Sequence, residues 1–594
     1  MSKRTLQVSV AQLISPFGPG AIVDILGESF VTLTADRWPK RTLLPEIECP
    51  RLSDRLGVQR FYGPPPSEDP DAPKAISVNV ARFPSWLFCQ TCRRMMRWTA
   101  KNENGAAPLC PHDSGRLVPM RFVVVCRERS HATDVPWVDW VHRVARERVN
   151  CKDGEHLRFQ QVQGGSRGLS GLEVKCDACG TRRALGELRS DVFSREGITC
   201  RGIQPWESTW GQCGKPLEVI QRGATNFHYG ESEAAIDIPA MTATVLDATE
   251  RITQHPLFLG LKETIESPNA TVLAQMIADA VDANAETVIA VARAANGDEA
   301  DLATTHTAIL SEEFQAFRAA ALDQADEANF KTRSVALDRE SEDLVERALA
   351  DLFESVILVD RLREVRVSLG FKRYTPDADL VRSVARTGDE ASWLPAAEGF
   401  GEGIFLKLAA DTVNAWASLP AVGGRVSELS LNFDDSRYAN RLHPFSPQYV
   451  ALHSLAHALL REFSFTSGYS AASLRERVYC DPGTNDYGVF VYTTSSDEEG
   501  TLGGLVREGE RDRIGTALAR AAEQLSWCSN DPVCSESNPQ NLDGLNLAAC
   551  HSCLLASETS CEGSNLLLDR VLLVGNETLE GLLKQVTVAV ARSS

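Results

Sequence analysis

No run of apolar residues in this chain of 594 residues is long enough to span a membrane as a helix. The opening MSKRTLQVSVAQLISPFGPG carries two basic residues but no sustained apolar stretch before Pro16 and Gly18. Neither a secretory signal nor an anchor is expected, and the cytoplasm is the expected compartment. A phosphate loop is also missing: no G-x-x-x-x-G-K-[ST] offers backbone amides and a lysine to nucleotide phosphates. An Asp-Glu-x-His helicase box and the paired H-x-K motif of phospholipase-like nucleases are likewise absent. These absences argue against a self-contained motor or hydrolase, and the chain reads as a non-enzyme. Positive charge is short as well. Against 80 Asp and Glu stand 61 Lys and Arg, a net charge of −19, which argues against a surface that binds nucleic acid throughout.

The imbalance is uneven. Residues 82–223 hold 23 Lys and Arg against 15 Asp and Glu, whereas 241–360 hold 8 against 23. A basic front could touch nucleic acid locally; an acidic middle would repel it or meet a basic partner.

A chain of 64.9 kDa is too long for one core, and composition divides it into four segments. Residues 1–81 form an N-terminal α/β segment: the alternating run Leu6–Val10, the turn Gly18-Pro19-Gly20, then Ala21–Leu26, with Tyr62 to Pro73 as a loop or linker. The Gly-Pro-Gly turn is read as a tight turn and not as an anion cradle, since no Lys or Ser/Thr follows where a phosphate loop needs one. Residues 82–230 form a cysteine-rich region with short β-like runs such as Val118–Val125. Residues 231–425 form an acidic helical domain, typified by Glu342–Leu352, whose apolar positions recur three and four apart without the self-similarity of a repeat array. Residues 426–594 mix helices (447–465, 511–525) with a strand (487–494) ahead of the last cysteines. The expected fold class is therefore α+β multidomain: a zinc-stapled cysteine-rich N-terminal region, a helical middle and a mixed α/β C-terminal zinc-binding domain.

Sixteen cysteines in a chain expected to stay in a reducing compartment are read as metal ligands and not as disulfides. Two cysteines separated by two residues turn both thiolates toward one tetrahedral ion, and the chain has Cys89-Gln-Thr-Cys92, Cys176-Asp-Ala-Cys179 and Cys550-His-Ser-Cys553. The first set is Cys89, Cys92 and Cys110, with a fourth ligand from Cys126, His112 or His131. The second is Cys176, Cys179, Cys200 and Cys213. The third offers five candidates for one ion, Cys528, Cys534, Cys550, Cys553 and Cys561, so one is spare. Sites rich in thiolate are closed and structural, which predicts two or three structural Zn2+ ions and no catalytic residue. Trp137, Trp140, Trp206 and Trp210 lie among these cysteines; they are read as packing a small core, with base stacking the alternative.

His453-Ser-Leu-Ala-His457 places two imidazoles on one helix face, the geometry of zinc metalloproteases. Ser454 stands where that mechanism needs its general-base Glu, so two core or interface histidines are the simpler reading.

The stretch from His453 to Arg570 carries a longer pattern. It runs through Leu452–His457, Gly468-Tyr469, Leu474–Tyr479, Gly488–Thr493, Ser496-Asp497 and Gly500–Leu505. It then continues through Trp527-Cys528, Asp531–Cys534, Ala548–Cys553, Glu558–Glu562 and Leu567–Arg570. It resembles the zinc-binding domain that follows the motor of MrfA-type DNA repair helicases, here without a motor. Together with Ser15–Asp24, the cysteine-rich front and Gly401–Leu406, the whole chain resembles the DrmB family of the DISARM anti-phage system. The resemblance implies a DrmA-like helicase as partner in a heterodimer, DNA within that complex, and restriction of unmodified phage DNA alongside a methyltransferase. It implies zinc ligation by Cys550 and Cys553 first, then Cys528 and Cys534. The spacing is longer than in the helicases and Cys561 is additional, which leaves the fourth ligand open. No catalytic residue carries over.

The leading expectation is a non-catalytic subunit that binds the helicase and assists recognition of foreign DNA, with Arg93, Arg94, Arg97, Arg116 and Arg121 as candidate phosphate contacts. The alternatives are a zinc-dependent metalloenzyme or nuclease acting through His453 and His457, and a free-standing zinc DNA-binding protein.

Overall fold

The computed structural model describes residues 10–65, 78–239, 252 and 255–593, apart from 145–146, 149–150, 163–167, 208, 210, 212, 266, 268–269, 282–284, 286–287, 290, 293–301, 385–392, 496–502 and 537–538. Most of the 6–10 run, the end of the proline loop, Trp210, Ser496-Asp497 and Gly500–Leu502 lie outside the described residues. The chain forms two compact units, and neither is a single stretch of sequence. One comprises Met1–Ile47, Arg60–Glu233 and Arg366–Ala397; the other comprises Glu48–Gln59, Ala234–Val365 and Glu398–Ser594.

The first unit is built from small antiparallel sheets. Three three-stranded sheets carry its cysteines: Met95–Arg97, Trp86–Cys89 and Leu117–Pro119; Ala132–Asp134, Phe122–Cys126 and Leu217–Gln221; and Leu157–Gln161, Leu172–Cys176 and Arg182–Ala184. Such short strands cannot bury much apolar area alone. Their core gathers Trp137, Trp140, Val124, Leu157, Val174 and Phe193 together with Cys126, Cys176 and Cys200. Trp137 and Trp140 are buried edge to face, 5.7 Å apart, and the Arg183 guanidinium lies over Trp140. These two rings pack a core and present no face to a nucleic-acid base. At Gly20, φ is +82° and a Cβ would lie 2.4 Å from the Phe371 ring, so this turn requires glycine for its conformation and for the room it leaves.

In the second unit the helices of the middle segment are present as Ala270–Val281, Leu302–Leu322 and Leu344–Leu352, the last capped by the Asp343 carboxylate, which accepts from the Val345 N–H at 2.8 Å. The same segment also carries two long strands that its overall composition did not announce, Phe353–Lys372 and Trp393–Leu408. Locally their sequence explains them: the run Val356-Ile357-Leu358-Val359 has three β-branched residues and is apolar on both faces, as a strand covered on both sides must be.

The strand Trp393–Leu408 pairs antiparallel with Asp486–Ser495, which pairs in turn with Leu474–Asp481. Alternation sorts the side chains. Phe405, Tyr479, Phe490 and Tyr492 face a cluster with Phe314 and Phe317 of the helix Leu302–Leu322. Ile404, Leu406, Val478, Val489 and Val491 face the opposite core, which contains the helix Pro447–Thr466. That helix starts at Ser446, whose hydroxyl accepts from the Tyr449 N–H at 3.0 Å, with Pro447 at its first position. It is buried nearly all round from Tyr449 to Phe463, packed between the sheet and the helix Arg511–Leu525. His453 and His457 are therefore core residues.

Two glycines make the sheet's tightness testable. A Cβ on Gly401 would lie 1.6 Å from the Thr493 carbonyl oxygen, whereas one on Gly423, in the helix Pro420–Asp435, meets nothing within 4 Å. Gly401→Ala is expected to destabilise the second unit by more than about 2 kcal/mol. Gly423→Ala is expected to stabilise it by up to about 1 kcal/mol. Denaturant unfolding of the two variants checks the opposite signs.

Candidate metal centres

Among the described residues, five groups of four potential ligands come together, each with its donor atoms within 4.8 Å of one another. Two zinc–thiolate bonds of about 2.3 Å at a tetrahedral angle place their sulfurs about 3.8 Å apart, which sets the scale for the distances below.

The first group is Cys89, Cys92, Cys110 and Asp113. Cys89 ends its strand, and the turn behind it directs the N–H groups of Thr91 and Cys92 at its sulfur, at 3.3 and 3.4 Å. A second turn carries Cys110, with the Ser114 N–H donating to its carbonyl, so that Cys92 and Cys110 sulfurs lie 3.7 Å apart. The fourth position belongs to Asp113, whose Oδ1 is 3.3 Å from Cys89 Sγ. The Gly115 N–H holds its carboxyl down to about 2, well below the usual carboxylate range. The three residues expected to compete for this place lie elsewhere. His112 accepts from the Arg94 guanidinium at 3.2 Å, and Cys126 and His131 belong to another group.

That second group is Cys126, His131, Cys200 and Cys213. Strand register explains it. Leu217 pairs with Cys126, and the Cys200 N–H donates to the Lys215 carbonyl, so the turns at 200 and 213 sit at the end of the Phe122–Cys126 strand. Cys126 and Cys213 sulfurs are 3.8 Å apart, and Cys200 Sγ is 3.5 Å from His131 Nδ1. A hydrogen bond from Cys200 lowers the Cys126 thiol to about 3 and pushes Cys200 up.

Cys176 and Cys179 consequently do not meet Cys200 and Cys213. They close the third group with Cys151 and His142, because Cys176 stands at the end of a strand whose neighbour, starting at Leu157, leads back to Cys151. The buried His142 donates from Nδ1 to the Val138 carbonyl at 2.7 Å, and its Nε2 has no hydrogen-bond partner among the described residues. A bare, buried ring nitrogen beside three thiols fits a metal ligand whose other nitrogen is oriented by a carbonyl. Pair spacing had no means of finding His142. Cys151 was one of three cysteines left over, with Cys49 and Cys480, and an unpaired cysteine in this region was the available signal.

The fourth group is Cys528, Cys534, Cys550 and Cys553, with sulfur separations of 3.5 Å for Cys528–Cys550 and 3.7 Å for both Cys534–Cys553 and Cys550–Cys553. Burial raises the Cys550 thiol, but the amide of Asn530 and the neighbouring thiols bring it down to about 6. Asp531 accepts the Cys528 N–H at 2.7 Å and both its oxygens accept from Arg570, whose other nitrogen donates to the Leu525 carbonyl. The site is thereby tied to the end of the helix Arg511–Leu525. Cys561 stands outside it, in the fifth group with His453, His457 and Glu476.

Of the arginines singled out for phosphate contact, Arg93, Arg97, Arg116 and Arg121 are exposed and Arg94 is half-buried. Arg97 donates to Ser85, Arg116 to the Leu26 carbonyl and Arg121 to Gln221. None of the five forms an ion pair among the described residues, in contrast with Arg82, Arg158 and Arg183 nearby.

The fourth group coincides with a known domain. The family model of the MrfA Zn-binding domain matches residues 455–554, which include all four of its cysteines, and a domain of unknown function, DUF8724, matches residues 9–229. The chain is a zinc-binding protein, and its cysteine and histidine clusters are suited to zinc ions. Over 93% of its length, and 97% of the relative's, it is 30% identical to the DISARM protein DrmB of Bacillus paralicheniformis. The chain belongs to the DrmB family of DISARM proteins. No helix among the described residues is long and apolar enough to cross a membrane.

Proposed function

We propose that this chain is a non-catalytic subunit of a cytoplasmic DISARM-type anti-phage complex, that it binds a DrmA-like helicase, and that it assists that helicase in recognising foreign DNA. The observation that carries this reading is the match to DrmB along nearly the whole of both chains. It is supported by sites of a closed kind: four groups dominated by thiolates, with Cys89, Cys92, Cys110 and Asp113, then Cys126, His131, Cys200 and Cys213, then His142, Cys151, Cys176 and Cys179, then Cys528, Cys534, Cys550 and Cys553 as ligands of structural zinc. Such sites hold a fold together and leave no open position for substrate. The arginines at 93, 94, 97, 116 and 121 belong to the basic front and would meet the phosphate backbone, an interaction that adds affinity without sequence preference.

The test uses the purified chain, a DrmA-like helicase and DNA. The chain alone is expected to show no nucleotide hydrolysis, to form a stable complex with the helicase, and to raise the complex's affinity for DNA. Replacing Arg97, Arg116 and Arg121 together by Ala should weaken DNA binding by the complex, and should reduce the slope of log affinity against log salt by about one for each phosphate no longer neutralised. Nucleotide hydrolysis by the chain alone, or no association with the helicase, overturns the reading; an unchanged salt slope removes the arginines from it.

A further inference from the structure

The fifth group is of a different kind from the other four, and neither family model spans all of it. The helix Pro447–Thr466 contributes His453 and His457, the strand Leu474–Asp481 contributes Glu476, and the loop that follows the fourth cysteine group contributes Cys561. We propose that these four side chains bind one further zinc-class dication, in a closed site that staples helix, strand and loop inside the second unit. The proposal is independent of the DISARM reading.

The chemistry of the pocket without an ion is unfavourable. Glu476 is 1% exposed, and the ionisable partners its carboxylate faces are the two imidazoles, with Oε1 at 2.9 Å from His453 Nε2 and 3.4 Å from His457 Nε2. The neighbouring Arg477 is committed elsewhere, to Glu313 and Glu562. His457 donates from Nδ1 to the Leu554 carbonyl at 2.9 Å, which turns its Nε2 toward Glu476; there it has no hydrogen-bond partner, and neither has Glu476 Oε2. Two acceptors thus face each other in a dry core. Cys561 Sγ lies 3.2 Å from His453 Nε2. An orphaned nitrogen and an orphaned carboxylate oxygen are what a metal would satisfy, and His453 Nδ1 alone keeps no partner either way.

The donor set also balances charge. One carboxylate and one thiolate with two neutral imidazoles cancel a dication, so the buried site becomes neutral when filled. Two nitrogens, one oxygen and one sulfur suit zinc, which accepts all three donor types in tetrahedral geometry. The Leu554 carbonyl behind His457 is the usual orienting acceptor of a ligating histidine. All four ligands come from the protein, and none is more than 8% exposed, so no position is left for water or substrate. The loop is held close for this purpose. The Glu476 N–H donates to the Ser560 carbonyl, the Ser560 hydroxyl donates to the Ala471 carbonyl, and a Cβ on Gly563 would lie 2.7 Å from the His453 ring.

Metal content of the full-length protein, measured by elemental mass spectrometry, tests the assignment. Glu476→Gln and Cys561→Ser are each expected to hold one equivalent less than wild type, and to lose a second only when Cys553→Ser is added. Should those variants fail to fold, anomalous scattering from wild-type crystals at the zinc edge decides: a peak at bonding distance from His453, His457, Glu476 and Cys561 is expected. Undiminished metal content in both folded variants, or the absence of that peak, overturns the proposal.

Discussion

Cys553→Ser is expected to remove one zinc equivalent and to destabilise the second unit by about 4–5 kcal/mol or more, among the largest effects a single substitution has. Cys553 is 3% exposed and its sulfur lies 3.7 Å from both Cys534 and Cys550, so a serine would leave three converging thiols with no fourth donor of matching softness. The damage would spread. Asp531 and Arg570 bind this site to the Leu525 end of a helix, which in turn packs on the buried helix Pro447–Thr466. Zinc content and thermal unfolding, measured together, check it. A variant that keeps its zinc and melts as wild type does would show that Cys553 is not a ligand.

The second large effect lies away from any metal group. Arg477 is fully buried; it donates to both oxygens of Glu313 at 2.9 and 2.7 Å and to Glu562 at 3.0 Å. Glu313, also fully buried, accepts in addition from the Tyr479 hydroxyl and the Ile236 N–H. Burial works against the Arg477 charge, but the carboxylates around it hold its pKa well above the ordinary guanidinium value. Arg477→Met strands the Glu313 charge in the core and is expected to cost about 3–5 kcal/mol. Adding Glu313→Gln removes that charge while keeping an acceptor for Ile236, and should restore a substantial part. A double-mutant cycle from urea unfolding measures the coupling. A single-variant loss below about 1 kcal/mol would mean that the Glu313 charge is compensated without Arg477, by the Arg51 guanidinium 3.8 Å away or by water.

Much of this was legible in the sequence, and the limits have physical causes. The helix expected over 447–465 is observed at Pro447–Thr466, the strand over 487–494 at Asp486–Ser495, and the helix over 511–525 at Arg511–Leu525. Each has a local signal: a Ser-Pro cap, β-branched alternation, or apolar residues three and four apart. Cysteine pairs were equally visible, because a C-x2-C turn is local. How pairs combine was not, since a tetrahedral site is completed across strands whose register depends on the whole sheet. Cys200 thus meets Cys126 and not Cys176. Asp113, His142 and Glu476 were missed because single Asp, His and Glu residues are common and carry no spacing of their own. The long strands after Leu352 were hidden by the acidic, alanine-rich composition of the segment around them, although Val356–Val359 is strand-like when taken alone.

The interleaving of the two units has a consequence for synthesis on the ribosome. Residues 89 to 213, with three of the ligand groups, emerge early, but the unit they belong to also needs 366–397. At about 5–20 residues per second, that final piece follows on the order of ten seconds later or more. During that interval the nascent chain carries nine thiols at positions 89 to 213 on a partial scaffold. Ion capture by these early clusters would hold the chain in order while the rest is made, so the timing of zinc supply, as well as its amount, would govern the yield of folded protein.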